Sequence, residues 1–190
     1  MFPNYRTYLT EIRDAILAAG NCFQQGFAPA RADGNRIWTW PTQGEPQEIG
    51  PSDHLGAYFY LRLRGGLRYR NRNDALSSCS ESGLLTRIPL RLVAVRACSD
   101  PFVVEAWLRN VLQNLSMNES KGWLGLQVLS AEIDPLRVYR LERGNEAPVP
   151  DNFFLGKYAL VSIDLELEVE SASDVCAEDL NCNEIAVETC

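Results

Sequence analysis

Apolar and polar residues alternate along this chain in two rhythms, one helical and one extended. Over residues 4–19, Tyr5, Tyr8, Leu9, Ile12, Ala15 and Ile16 recur at three- and four-residue steps, which gathers them on one face of a helix. Asn4 suits the cap of that helix and Gly20 its stop. A polar connector follows, then a short strand from Ile37 to Trp40, ended by Pro41. Residues 41–53 hold Pro41, Gly44, Pro46, Gly50 and Pro51 and read as an irregular loop.

The extended rhythm begins near Ala57. Apolar and basic residues alternate in Leu61-Arg62-Leu63-Arg64, and again in Leu67-Arg68-Tyr69-Arg70-Asn71-Arg72 after Gly65-Gly66. Two layouts fit: a hairpin turning at Gly65-Gly66, or one long strand with a glycine bulge. Residues 73–86 are small and polar, as in an exposed loop, and Pro89–Ala97 is a more buried strand. Asp100 and Pro101 form a cap and first-turn pair for a second helix, whose face carries Val104, Trp107, Leu108, Val111, Leu112 and Leu115. Two strands complete the pattern, near Leu136–Leu141 and over Tyr158–Glu170. In the latter, Val161, Ile163, Leu165, Leu167 and Val169 face one side, and Ser162, Asp164, Glu166, Glu168 and Glu170 the other.

Strands with one apolar and one polar face predict a mostly antiparallel sheet, covered on one side and solvated on the other. The expected fold class is α+β, with two helices packed on one face of the sheet. The expected domain spans residues 1–170, followed by an acidic and flexible tail over 171–190. No apolar run approaches the ~20 residues of a membrane span, and the charged N-terminus lacks the apolar stretch of a signal peptide. The expectation is a soluble protein made in the cytoplasm.

Candidate chemistry is sparse. The single histidine, His54, follows Asp53 in a loop, and it acts as a base only with a nucleophile beside it. No nucleophile elbow, phosphate-binding glycine loop or zinc-protease motif occurs. The six cysteines (Cys22, Cys79, Cys98, Cys176, Cys182 and Cys190) include no C-x-x-C pair. The expectation is therefore no enzyme activity, no cofactor and no metal, with the cysteines reduced. Asp164, Glu166 and Glu168 stand about 7 Å apart along one strand face. That spacing suits calcium or acid–base work, and equally a solvated acidic face.

Charge segregation carries more information. Arg62, Arg64, Arg68, Arg70 and Arg72 mark a basic surface, whereas Asp164, Glu166, Glu168 and Glu170 mark an acidic one. Sixteen arginines stand against two lysines, and the formal net charge is −7. Arginine forks bond carboxylates bidentately, which suits interfaces. Three readings follow. The two surfaces are wet strand faces that pair across one sheet. Or they meet between copies, head to tail, so that contacts close into a ring. Or the arginine strands bind nucleic acid as a monomeric module, with Tyr58, Tyr60 and Tyr69 as stacking groups.

The order of segments resembles the tail-terminator and tail-completion (neck) proteins of long-tailed bacteriophages. The segments that carry the resemblance are YRTYLTEIRDAIL, AYFYLRLRGGLRYR, IPLRLVAVRACSDPFVVEAWLRNVL and YALVSIDLELEVE, together spanning roughly residues 1–170. The resemblance implies a virion protein without catalysis that forms homo-oligomeric rings, commonly of six subunits. It also implies contacts with the tail tube and with neck or connector proteins, and a lumen through which DNA passes without being specifically bound. Under it, Arg62, Arg64, Arg68, Arg70, Arg72, Asp164, Glu166, Glu168 and Glu170 are the expected subunit-interface residues.

Overall fold

A computed structural model describes residues 5–33, 36–39, 45–49, 56–71, 84–97, 99–116, 123–145, 148 and 158–171. Asn4, Trp40, His54, Arg72, residues 73–83 and the acidic segment after Ser171 lie outside the described residues.

The chain opens with helix α1, Tyr5–Ala18, whose Leu9, Ile12 and Ile16 are buried as the helical period demands. Strands β1 (Gln25–Asp33), β2 (Arg36–Thr39) and β3 (Gln47–Glu48) follow, then β4 (Tyr58–Leu63), β5 (Arg68–Asn71) and β6 (Leu84–Ala97). Helix α2 spans Pro101–Ser116, β7 Gly125–Glu132, helix α3 Pro135–Arg143 and β8 Tyr158–Ser171. The eight strands form one sheet in the order β3-β2-β1-β4-β6-β8-β7, with β5 also paired to β6. Among the described residues only β1 and β4 run parallel; the remaining pairs are antiparallel. The α+β class and the mostly antiparallel sheet therefore stand as the apolar–polar pattern implies.

Helices α1 and α2 cover one face. Leu9, Ile12 and Ile16 of α1 and Val104, Leu108 and Leu112 of α2 pack on Phe59, Leu61, Leu90, Leu92, Ile163 and Leu165. Phe23 ties the layers together, its ring 5.4 Å from that of Phe59 and 5.7 Å from that of Trp107. Gly26 allows α1 to sit close. A Cβ there would stand 2.5 Å from Phe59 Cζ and 2.9 Å from Arg13 Cγ, so any side chain would push the helix off β1.

Three expectations need correction, and the choice left open at Gly65-Gly66 falls to the interrupted strand. The sheet's second face is not simply solvated: α3 lies on it, closing a smaller core of Tyr58, Tyr60, Val93, Val95, Leu160, Val138 and Tyr139. The segment expected as a strand near Leu136–Leu141 is α3 itself, with buried Val138, Tyr139 and Glu142 on one side and Leu141 exposed. Asp134 caps it, accepting bonds from the N–H groups of Leu136 and Arg137, with Pro135 in its first turn. Gly65-Gly66 makes no hairpin. Both β4 and β5 pair with β6, Leu63 opposite Leu90 and Arg68 opposite Arg87, so they run as one strand interrupted at the glycines, the second of the two layouts that the sequence left open. Finally, β1 and β7 replace what read as a connector and as unassigned chain. Each carries a register shift, between Phe27 and Ala30 in β1 and between Val128 and Ser130 in β7, which breaks the two-residue rhythm.

Candidate functional site

The register brings the charged residues of β4, β6 and β8 together on the face shared with α3. Arg62 lies directly opposite Arg91 on β6, and Arg91 lies opposite Asp164 on β8. Two arginines in direct cross-strand register repel. Glu142, reaching down from α3, resolves the conflict. Its Oε1 accepts from Arg62 Nη2 at 2.7 Å and from Arg91 Nη1 at 3.2 Å, and its Oε2 accepts from Arg62 Nε at 2.8 Å and from the Tyr60 hydroxyl at 3.0 Å. Arg91 in turn grips Asp164 with both arms of its fork, at 2.7 and 3.3 Å. Arg64 Nη1 (3.1 Å) and the Ser130 hydroxyl (3.3 Å) complete the coordination of Asp164 Oδ2.

The strip continues along the strands. Arg87 pairs with Glu168 at 3.1 Å and with Glu166 at 3.5 Å. Four arginines (Arg62, Arg64, Arg87, Arg91) thus face four carboxylates (Glu142, Asp164, Glu166, Glu168), and the strip is neutral as a unit. The central members are also dry: Arg91 and Asp164 are each 8% exposed and Glu142 6%. Buried charges in such a network hold each other in place, because any one removed leaves its partners uncompensated in low dielectric.

Burial leaves its mark on the ionisable groups. Loss of water around the Tyr60 phenol pushes its pKa well above the ordinary value, and the negative charge of Glu142 adds to the effect. Tyr58, also buried, is raised for the same first reason, with Arg143 opposing. For Arg91, burial pulls the pKa down, but the bonds to Asp164 and Glu142 together outweigh it and the net shift is upward.

The candidate residues divide accordingly. Arg62, Arg64, Asp164, Glu166 and Glu168 are brought into one strip and find partners within the chain. Arg68 is exposed on β5 beside that strip. Arg70 and Glu170 belong to β5 and β8 by their backbones, opposite Leu85 in each case, and Arg72 lies outside the described residues. Tyr58 and Tyr60 are 2% and 5% exposed beneath α3 and present no face to a base. His54 is outside the described residues. Sequence reasoning missed Glu142 and Arg91, the two residues that join the strip to α3 and to itself. Asp134-Pro135 was the available signal, since it repeats the Asp100-Pro101 signature of α2 and would have turned the segment into a helix.

Among the described residues no group of three His, Cys, Asp or Glu side chains is arranged to hold a metal ion, and no helix is long and apolar enough to cross a membrane. Two recesses flank the strip. A cramped one lies under α3 between Ile49, Tyr58, Tyr139 and Arg143. The other is an open cleft of about 570 Å³ between the first turn of α1, β1 and the end of β4, lined by Tyr5, Arg6, Pro29, Ala30, Arg31, Ala32, Arg62 and Leu63.

The surface also has an open end. Strand β7 closes the sheet order, and among the described residues no strand pairs with its outer side. Leu124, just before it, and Leu129, the residue extruded at its bulge, are 54% and 46% exposed. No protein-family model and no curated protein sequence matches the chain.

Proposed function

We propose that this chain is a non-catalytic structural subunit that assembles with copies of itself into a ring, in the manner of phage tail-terminator and neck proteins. The observation that carries the reading is the outer edge of β7. An eight-residue strand whose outer side pairs with no strand among the described residues, with exposed leucines at Leu124 and Leu129, is a template for pairing with another chain. Proteins that stay monomeric blunt such edges with lysine, proline, a bulge or a covering element, and of these β7 carries a bulge, between Val128 and Ser130. Here the edge residues from Gly125 to Ala131 carry no charge at all. A head-to-tail contact of this kind uses a different surface on each partner, and repetition closes it into a ring.

The neutral strip supports the same reading from the inside. It spends the sheet's arginines and carboxylates on fixing α3 and the strands relative to one another, which gives a stiff subunit. Stiffness matters in a ring, where small angular errors per subunit accumulate around the circle. In this role the subunit contacts a tail tube and a neck or connector protein, needs no cofactor, and resides in the virion.

Electron microscopy of the purified full chain tests the proposal. Annular particles of uniform diameter are expected. Single small particles, together with salt-sensitive binding to DNA or RNA, would instead favour a monomeric nucleic-acid-binding module.

A further inference from the structure

Two facts about charge belong together. The strip on the sheet is neutral, so the chain's net charge of −7 lies elsewhere, and residues 172–190 hold five carboxylates (Asp174, Glu178, Asp179, Glu184, Glu188) with no lysine or arginine. The open cleft beside α1 has the opposite character: among the described residues Arg6, Arg31 and Arg62 line it and no carboxylate does. Arg62 is engaged by Glu142, and Arg31 is exposed. The cleft's volume suits several side chains of an extended peptide, and Tyr5, Pro29 and Leu63 give it apolar walls.

We infer that this cleft receives the acidic segment 172–190 of a second copy of the chain. The inference rests on the ring reading and adds a second contact to it. Complementary charge sets which end of one subunit meets which end of the next, and it discourages like-to-like pairing. Geometry favours the neighbour over the subunit's own segment. Strand β8 ends at Ser171, opposite Leu84, whereas the cleft lies at Arg62 and Leu63, opposite Arg91 and Leu90. Six or so residues along β6 and two strand spacings separate them, on the order of 22 Å, in the direction from which β8 has just come. An intramolecular segment must therefore double back over the charged strip. A segment continuing outward leaves the subunit. Nineteen residues reach up to roughly 60 Å when extended, enough to cross to an adjoining subunit. Nucleic acid is the weaker occupant, since the chain's net charge repels a polyanion.

The cysteines of the segment make a direct test, because Cys176, Cys182 and Cys190 lie among the carboxylates. The full chain carrying Ala32→Cys places a thiol in the cleft while keeping Arg31. Tagged and untagged forms are mixed, oxidised with oxidised glutathione, and their cross-linked peptides read by mass spectrometry. The expected product joins position 32 of one form to Cys176, Cys182 or Cys190 of the other, and adding Arg31→Glu reduces its yield about tenfold. If light scattering finds an oligomer but no such link forms, or links form only within one chain, the inference is wrong and the ring stands. If the wild-type chain is monomeric at all concentrations, the ring reading fails and the inference with it. If a single-stranded oligonucleotide binds in an Arg31-dependent way and abolishes the link, the cleft is a nucleic-acid site and the inference is overturned.

Discussion

Glu142 shows how one side chain decides the chemistry of a face. Arg62 and Arg91 stand opposite each other in register, an arrangement that only a shared carboxylate makes tolerable. Glu142→Gln removes that charge and leaves two largely buried guanidinium groups short of a partner. Its expected cost is about 3–5 kcal/mol, read from urea unfolding. A loss under 1 kcal/mol would mean that water reaches the strip. Tyr60 makes a pH prediction with a definite sign. Its pKa is raised in the folded state, so the folded chain holds the phenolic proton more tightly than the unfolded one. That contribution is intact below the ordinary tyrosine value of 10.0 and is lost as pH rises past it. Stability should fall as pH rises above 10.0, and Tyr60→Phe, at a cost of about 1 kcal/mol near neutrality, should make the decline shallower. Thr86 points the other way. Its hydroxyl is buried without a hydrogen-bond partner among the described residues, so Thr86→Val is expected to stabilise the chain by about 1 kcal/mol in the same assay.

At the scale of elements, legibility followed regularity. Helices α1 and α2 keep their period and bury residues that their spacing marks out, whereas β8 keeps its alternation but also buries Leu160, Ser162 and Asp164 of its other face under α3. Strand β6 was legible only in part, because its first residues, Leu84–Ile88, follow a polar run without a break in composition. Strands β1 and β7 were hidden by their irregularities: Gly26 and Pro29 interrupt the one, and the extruded Leu129 shifts the phase of the other. Helix α3 was misread since Leu136-Arg137-Val138 opens on a two-residue alternation. The candidate site was half legible for a related reason. Charge alternation on β4 and β8 is a local pattern and visible, but the partners Arg91 and Glu142 depend on which strands neighbour which and on which face a helix lies. The cap of α3 is open to direct measurement. Asp134→Ala should cost about 1 kcal/mol and speed amide exchange in Leu136–Val138 more than in α2. Equal exchange in the two helices would show that packing rather than the cap holds α3 down.

For the whole molecule, three helices pack on the sheet around a buried core of Arg91, Glu142 and Asp164, and the surfaces proposed for partners lie at its margins. One is the β7 edge with Leu124 and Leu129; another is the cationic cleft beside α1. They sit on opposite sides of the strand order, β7 at its end and β1 beyond β4. In the proposed assembly these flanks serve as distinct contact surfaces, which would build a chain of copies that closes into a ring. The most direct measurement is the solution mass of the full chain beside its Leu129→Lys variant, by light scattering across a range of concentrations. Leu129 is exposed, so the substitution leaves the fold intact while placing a cation on the edge. The account predicts an integer multiple of 21.3 kDa for the wild type and 21.3 kDa for the variant. A wild-type mass of 21.3 kDa at every concentration, or a variant that assembles as well as the wild type, would contradict it.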